Sequence, residues 1–317
     1  MAAASLLLPK HRYHVRSTSM PSRSHPLAIR LHDHLYKLQA AAACNWDQAS
    51  FPSSQATTQM LLNALGGLRV VYDCVEDLLR CPLIQQALTA NRHQLFVDEM
   101  LDGSLRLLDL CETARYVFKS LKENTQELMS ALRRRKGRLT AAGGDLELQQ
   151  QAQGYMSLRN KMHKDMSRCL SKALKREESK FAFSPLAAVG KLDQHNNIMV
   201  LISVLKEVRS TTISIFEPVA LFVSLPSAKS KKVGRSLISK WMGQVADHRD
   251  EMFEMDMYGL FGNGNKPCKD IGVHVLENVQ KRLKAMDDNL QSLENELDCV
   301  FRRLIKTRVS LLNILNH

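Results

Sequence analysis

Twelve positions near the C-terminus constrain this chain more than anything else in it. Leu276, Val279, Leu283, Met286, Leu290, Leu293, Leu297, Val300, Leu304, Thr307, Leu311 and Ile314 follow one another at strictly alternating intervals of three and four. That spacing puts all of them on one face of an α-helix. Thr307 is the one member of the series with a polar side chain. A narrow stripe of this kind suits a two-stranded coiled coil. Here Phe301, Ile305, Leu312 and Leu315 widen it, which predicts a helix packed against more than one neighbour, with its final turns in the core. Arg302, Arg303, Lys306 and Arg308 lie toward its negative end, where positive charge is mildly favourable.

The rest of the chain reads as helix too. Ser24 can cap and Pro26 can open a first helix carrying Leu27, Leu31, Leu35 and Leu38. A second, with Leu61, Leu65, Leu68, Tyr72, Val75 and Leu79 in heptad spacing, ends at Pro82. A third spans about 96–135, carrying Leu101, Leu105, Leu108, Cys111, Phe118, Leu121, Leu128 and Leu132. A more polar fourth covers about 145–178, and an apolar one about 192–222. A further helix containing Trp241 and Met252 is expected before the last. Glycine (14) and proline (9) are scarce and no segment alternates as a strand would. The expected fold is therefore all-α: an elongated antiparallel bundle of long helices over 26–317, preceded by a flexible basic tail over 1–25.

The formal net charge of +12 favours acidic partners, protein or lipid. Bases cluster in LRRRKGR, between Arg159 and Lys180, in KSKKVGR and in FRRLIKTR, while acids gather at 98–112 and 247–256. Alternation of this kind fits solvated helix faces better than a nucleic-acid groove, so nucleic acid is not an expected partner. The seven cysteines include no C-x-x-C pair, and the odd number reads as reduced thiols, mostly small core residues, in an intracellular and specifically cytoplasmic setting. Residues 1–32 contain no Asp or Glu, which leaves chloroplast or mitochondrial targeting open beside the tail reading. The most apolar segment, STTISIFEPVALFVSL, is too short to span a bilayer and holds Glu217 and Pro218, so it reads as a buried helix.

Signatures of chemistry are weak. None of the eleven histidines has a glutamate three residues before it, so the di-iron bundle pattern fails, and His32 and His34 point to different helix faces. Gly103 in DGS sits mid-helix and reads as a small residue for close helix approach rather than a nucleophile turn. GNGNKP lacks the lysine-serine or lysine-threonine of a phosphate loop. Asp73, Glu76 and Asp77, and Asp98 and Asp102, share helix faces and are expected to be exposed, salt-bridging groups. No catalytic residue, metal site or cofactor is expected.

One short motif carries a mechanism. RSTSMP supplies Arg16, Ser17, Ser19 and Pro21 in the Arg-Ser-x-Ser-x-Pro pattern that 14-3-3 proteins read once the second serine is phosphorylated. Arg16, three residues before Ser19, suits a basophilic kinase, and the phosphate would add about −1.5 to −2 charges for an arginine cluster to bind. Basic residues around 229–240 beside Trp241 offer a second surface, for anionic membrane.

Four stretches carry a likeness. HVRSTSMPSRSHP, VYDCVEDLLRCPLIQQAL, FVDEMLDGSLRLLDLC and LENELDCVFRRLIKTRVSLLNILNH occur in order, and the chain resembles the plant BYPASS-like family. The resemblance implies a role in root and shoot development and brings no catalytic residues. The expectation is a non-catalytic interaction or regulatory protein. Its rivals are a peripheral protein docking anionic lipid through basic helix faces, and an enzyme with a site built in a bundle cleft.

Overall fold

The computed structural model describes residues 26–47, 54–91, 95–137, 144–179, 192–223 and 273–316, and every regular element among them is α-helical. These are α1 (Pro26–Asp47), α2 (Ser54–Leu79), α3 (Pro82–Ala90), α4 (Leu95–Gly137), α5 (Gly144–Ser179), α6 (Leu192–Val223) and α7 (Val273–Asn316). Residues 1–25, the expected helix around Trp241 and Met252, and the basic segment 229–240 lie outside the described residues. Pro82 does more than stop a helix. It occupies the first turn of α3, where its missing N–H costs nothing, with Cys81 before it in extended conformation.

The stripe on α7 is the axis of the packing. Ten of its twelve positions are buried, and Met286 and Ile314 are partly so. The helix lies chiefly against α4 and α2, with α3 touching its last turns, so it meets several neighbours, as the widened stripe implies. Polar pairs flank the stripe on both sides. Toward α4, Gln126 reaches Asp287 (3.0 Å), Lys122 reaches Gln291 (3.0 Å) and Glu294, Arg115 reaches Asp298 (2.5 Å), and Arg308 reaches Ser104 (2.8 Å). Numbers fall along α4 as they rise along α7, so the two helices are antiparallel. Toward α2, Arg69 pairs with Glu296 (3.4 Å), Arg303 grips Asp73 bidentately (2.8 and 3.0 Å), and Ser310 donates to Glu76 (3.2 Å). Here both series rise, so α2 and α7 run parallel, a relation their separation in the chain allows.

Two expectations need correcting. Ile305 stands 41% exposed, because it is rotated about a quarter turn from Leu304 toward the outer edge of the α4 contact. Leu105 is 45% exposed, since α4 buries Gly103, Leu107 and Leu110 there and position 105 falls on the opposite side. A second, smaller core forms where α4 and α5 meet the start of α7, around Leu132, Tyr155 and Val279.

Two buried arginines tie α6 in place. Arg159 of α5 donates Nε to the Val223 carbonyl (2.9 Å) and Nη2 to that of Phe222 (3.2 Å), satisfying acceptors that the end of α6 leaves without helical partners. Arg209 of α6 lies across Gly103 and pairs with Glu99 (3.3 Å). A Cβ at 103 would sit 3.1 Å from the Arg209 Cδ and closer still to Nη1. Gly103 thus makes room for a side chain from the neighbouring helix rather than for its backbone. Farther along α6, Pro218 removes the N–H that would bond back to the preceding turn, and burial pushes the adjacent Glu217 carboxyl up to about 7.

Leu290→Ala and Leu311→Ala are expected to cost about 2–5 kcal/mol each in denaturant unfolding, while Ile305→Ala costs under about 0.5 kcal/mol. Equal losses at all three would contradict the packing. Glu217 also makes stability depend on pH. Between its ordinary 4.5 and about 7 the folded state holds a proton that the unfolded state has released, so this group's contribution is full in acid and lost as pH rises through 7. The half-buried His163, whose pKa burial lowers, has the opposite slope. The melting-temperature difference between wild type and Glu217→Gln isolates the carboxyl: the variant should gain relative to wild type between pH 5 and pH 7.5.

Candidate functional site

The residues singled out in the tail, Arg16, Ser17, Ser19 and Pro21, lie outside the described residues, so the structure places none of them. The acids fall mainly into structural pairs. Asp73 is held by Arg303, Asp77 by Arg30 (2.5 Å), and Asp102 lies 3.9 Å from Arg106. Glu76 departs from expectation. It is buried, because its helix face turns under α7, where Ser310 and Lys306 (3.7 Å) approach one oxygen. His32 faces Glu207 across the α1–α6 contact at 3.2 Å, while His34 lies on another part of the helix surface. No group of three metal-ligating side chains occurs among the described residues. Cys74, Cys81 and Cys111 are buried, and burial pushes the Cys111 thiol well up, which suppresses its thiolate.

A surface feature does emerge, on α5. Leu148, Ala152, Tyr155, Met162, Met166, Leu170 and Ala173 turn inward against α4, α6 and the start of α7. Fixing that face inward leaves Lys161, Lys164, Arg168 and Lys172 outward, all exposed. Their spacing of three, four and four confines them to a narrow row about 16 Å long. Asp165, 3.1 Å from Arg168, is the acid that borders the row. None of the exposed large apolar residues among the described positions lies on α5. The row is a line of charge without an apolar wedge.

Two contacts tie α5 to its neighbours behind this row. Arg159, in the same basic run, points inward to clamp the end of α6, and its Nη1 lies 3.4 Å from the Tyr155 hydroxyl. Thr113 of α4 reaches Cys169 (3.5 Å) farther along. The sequence marked the whole stretch from Arg159 as basic. Separating Arg159 from the outward row needed the buried register, which the spacing of Tyr155, Met162 and Met166 already carries.

No helix among the described residues is long and apolar enough to cross a membrane. No curated protein and no solved structure matches the chain significantly. A family model described as Protein BPS1 matches residues 64–314. The match runs from within α2 almost to the end of α7. It takes in the basic row and the paired flanks of the last helix, and it leaves the Arg16–Pro21 motif outside. Coverage of that extent identifies the chain as a member of the BPS1 family of plant developmental proteins.

Proposed function

We propose that this protein is a non-catalytic interaction and regulatory protein in root and shoot development. Its helical body presents the α5 row to an acidic partner protein, and its N-terminal motif is a phosphorylation-controlled dock for 14-3-3 proteins. The observation that carries the first part is the alignment of Lys161, Lys164, Arg168 and Lys172 along one exposed helix face. Four cations at helical spacing complement an acidic helix or strand laid alongside, and contacts of this exposed kind set encounter rate and orientation more than affinity. Partners of this class are released readily by salt, which suits regulation.

Anionic membrane is the second reading, favoured by the same charges. Each base near an anionic surface contributes about 1 kcal/mol, and stable attachment ordinarily adds an apolar anchor. The α5 face carries none among its described residues, which weighs toward a protein partner.

Proximity labelling in plant cells with wild type and a Lys161→Glu, Lys164→Glu, Lys172→Glu variant tests the row. The variant is expected to melt within about 2 °C of wild type, since its altered side chains are exposed, and to lose labelling of acidic partners. An unchanged labelled set removes α5 from the reading. Flotation with phosphatidylserine-containing vesicles, abolished by the same variant, shifts it to membrane. Ser19→Ala should abolish capture of phosphorylated protein by 14-3-3; equal capture removes the tail's role.

A further inference from the structure

Thr307 is the single polar member of the apolar stripe on α7, and it is buried. Three buried or half-buried threonines elsewhere in these helices dispose of the hydroxyl locally. Thr125 donates to the Leu121 carbonyl, Thr212 to that of Val208 and Thr113 to that of Asp109, each at 2.7 Å. The Thr307 hydroxyl has no such bond, nor any other hydrogen-bond partner among the described residues. A buried hydroxyl left this way carries a desolvation penalty that a bound oxygen would remove.

Thr307 lines a cavity of about 60 Å³. Tyr72 of α2 and Leu304 and Leu311 of α7, all buried, form its floor beside Thr307. Half-buried Phe96 and Met100 of α4 and Ile202 of α6, with exposed Lys206, form its outer side, so the space opens as a cleft between α4 and α6. The Glu99–Arg209 pair closes one wall, seated there because Gly103 has no side chain. The Tyr72 hydroxyl turns away to Thr212 (2.9 Å), which leaves the Thr307 oxygen as the floor's polar group. A buried polar atom in an otherwise apolar floor, below an open cleft, is the arrangement by which small-molecule sites fix orientation.

We propose that this cleft binds a compact, mainly apolar molecule bearing one hydroxyl or carbonyl oxygen, which Thr307 recognises by hydrogen bond. A dry apolar cavity of about 150 Å³ takes a benzene ring, so the space of about 60 Å³ over Thr307 accepts the oxygen and roughly one or two carbons. The remainder of the ligand lies in the cleft between Met100 and Ile202. The hydroxyl of Thr307 donates to a carbonyl and accepts from an alcohol, so both classes fit the same floor.

The test uses the full chain with methyl-labelled methionine and titrates butan-2-one and butan-2-ol, reading the Met100 resonance. Saturable shifts are expected in wild type and in Thr307→Ser, which keeps the hydroxyl. Binding about tenfold weaker is expected in Thr307→Val, the worth of one hydrogen bond, and none in Ile202→Trp, which fills the cleft mouth. Absence of a saturable shift in wild type leaves the space to solvent and overturns the proposal. Equal affinity in wild type and Thr307→Val overturns the recognition by Thr307. Should Thr307→Val fail to fold, loss of binding in Ile202→Trp with retention in Thr307→Ser still supports the site, and binding unaffected by Ile202→Trp overturns it.

Discussion

One contact governs this molecule: the apolar face of α7 seated between α2 and α4. Burial of that face is non-directional, and a seven-residue repeat would tolerate sliding by a full heptad. The flanking polar pairs remove that freedom. Each exposed pair contributes little by itself, but the two ladders differ in sequence and in chain direction, so one register alone satisfies both. The bidentate grip of Arg303 on Asp73 and the stacking of Arg115 over Phe301, 4.4 Å from the ring centre, are the most geometrically demanding rungs. Leucines supply the adhesion and charged side chains supply the alignment.

The same division of labour recurs around α6. Its apolar surface is broad, with Val208, Phe216, Val219 and Val223 all buried, and breadth alone fixes no orientation. Two arginines supply it from different helices. Arg159 holds the final carbonyls of α6, and Arg209 reaches outward over Gly103 to Glu99. Buried guanidinium groups are costly unless their donors are used, so these contacts make the placement of α6 specific, and the cleft over Thr307 inherits that specificity in its walls.

Much of this was legible in the residues. The α7 stripe, the buried positions of α2 and the extents of α4, α5 and α6 follow from periodicity, which local geometry dictates. What escaped was relational. The start of α3 was hidden because Pro82 serves equally as a stop and as a first-turn residue. Exposure of Leu105 and Ile305 depends on how far around each helix its neighbours reach. The inward turn of Arg159 and the burial of Glu76 are set by packing partners that spacing on one helix does not name. The basic row on α5 stood in plain sight as a run of lysines and arginines, yet it became a surface only when the opposite face of the helix was anchored. The cleft over Thr307 needs four helices at once, and its one trace in the sequence was a lone hydroxyl among leucines.

The parallel pairing of α2 with α7 has a consequence for biosynthesis. Asp73 and Arg303 are separated by 230 residues. A ribosome adding roughly 5–20 residues per second needs on the order of 10–50 s to deliver the partner that covers α2. Throughout that interval Leu65, Leu68 and Val75 wait on the nascent chain without their final cover, competing for whatever apolar surface is at hand. Such long-range closure is slow to form and prone to misassembly. A bundle whose neighbours in space are also neighbours in sequence closes without that interval, so the order of synthesis weighs more heavily on this topology.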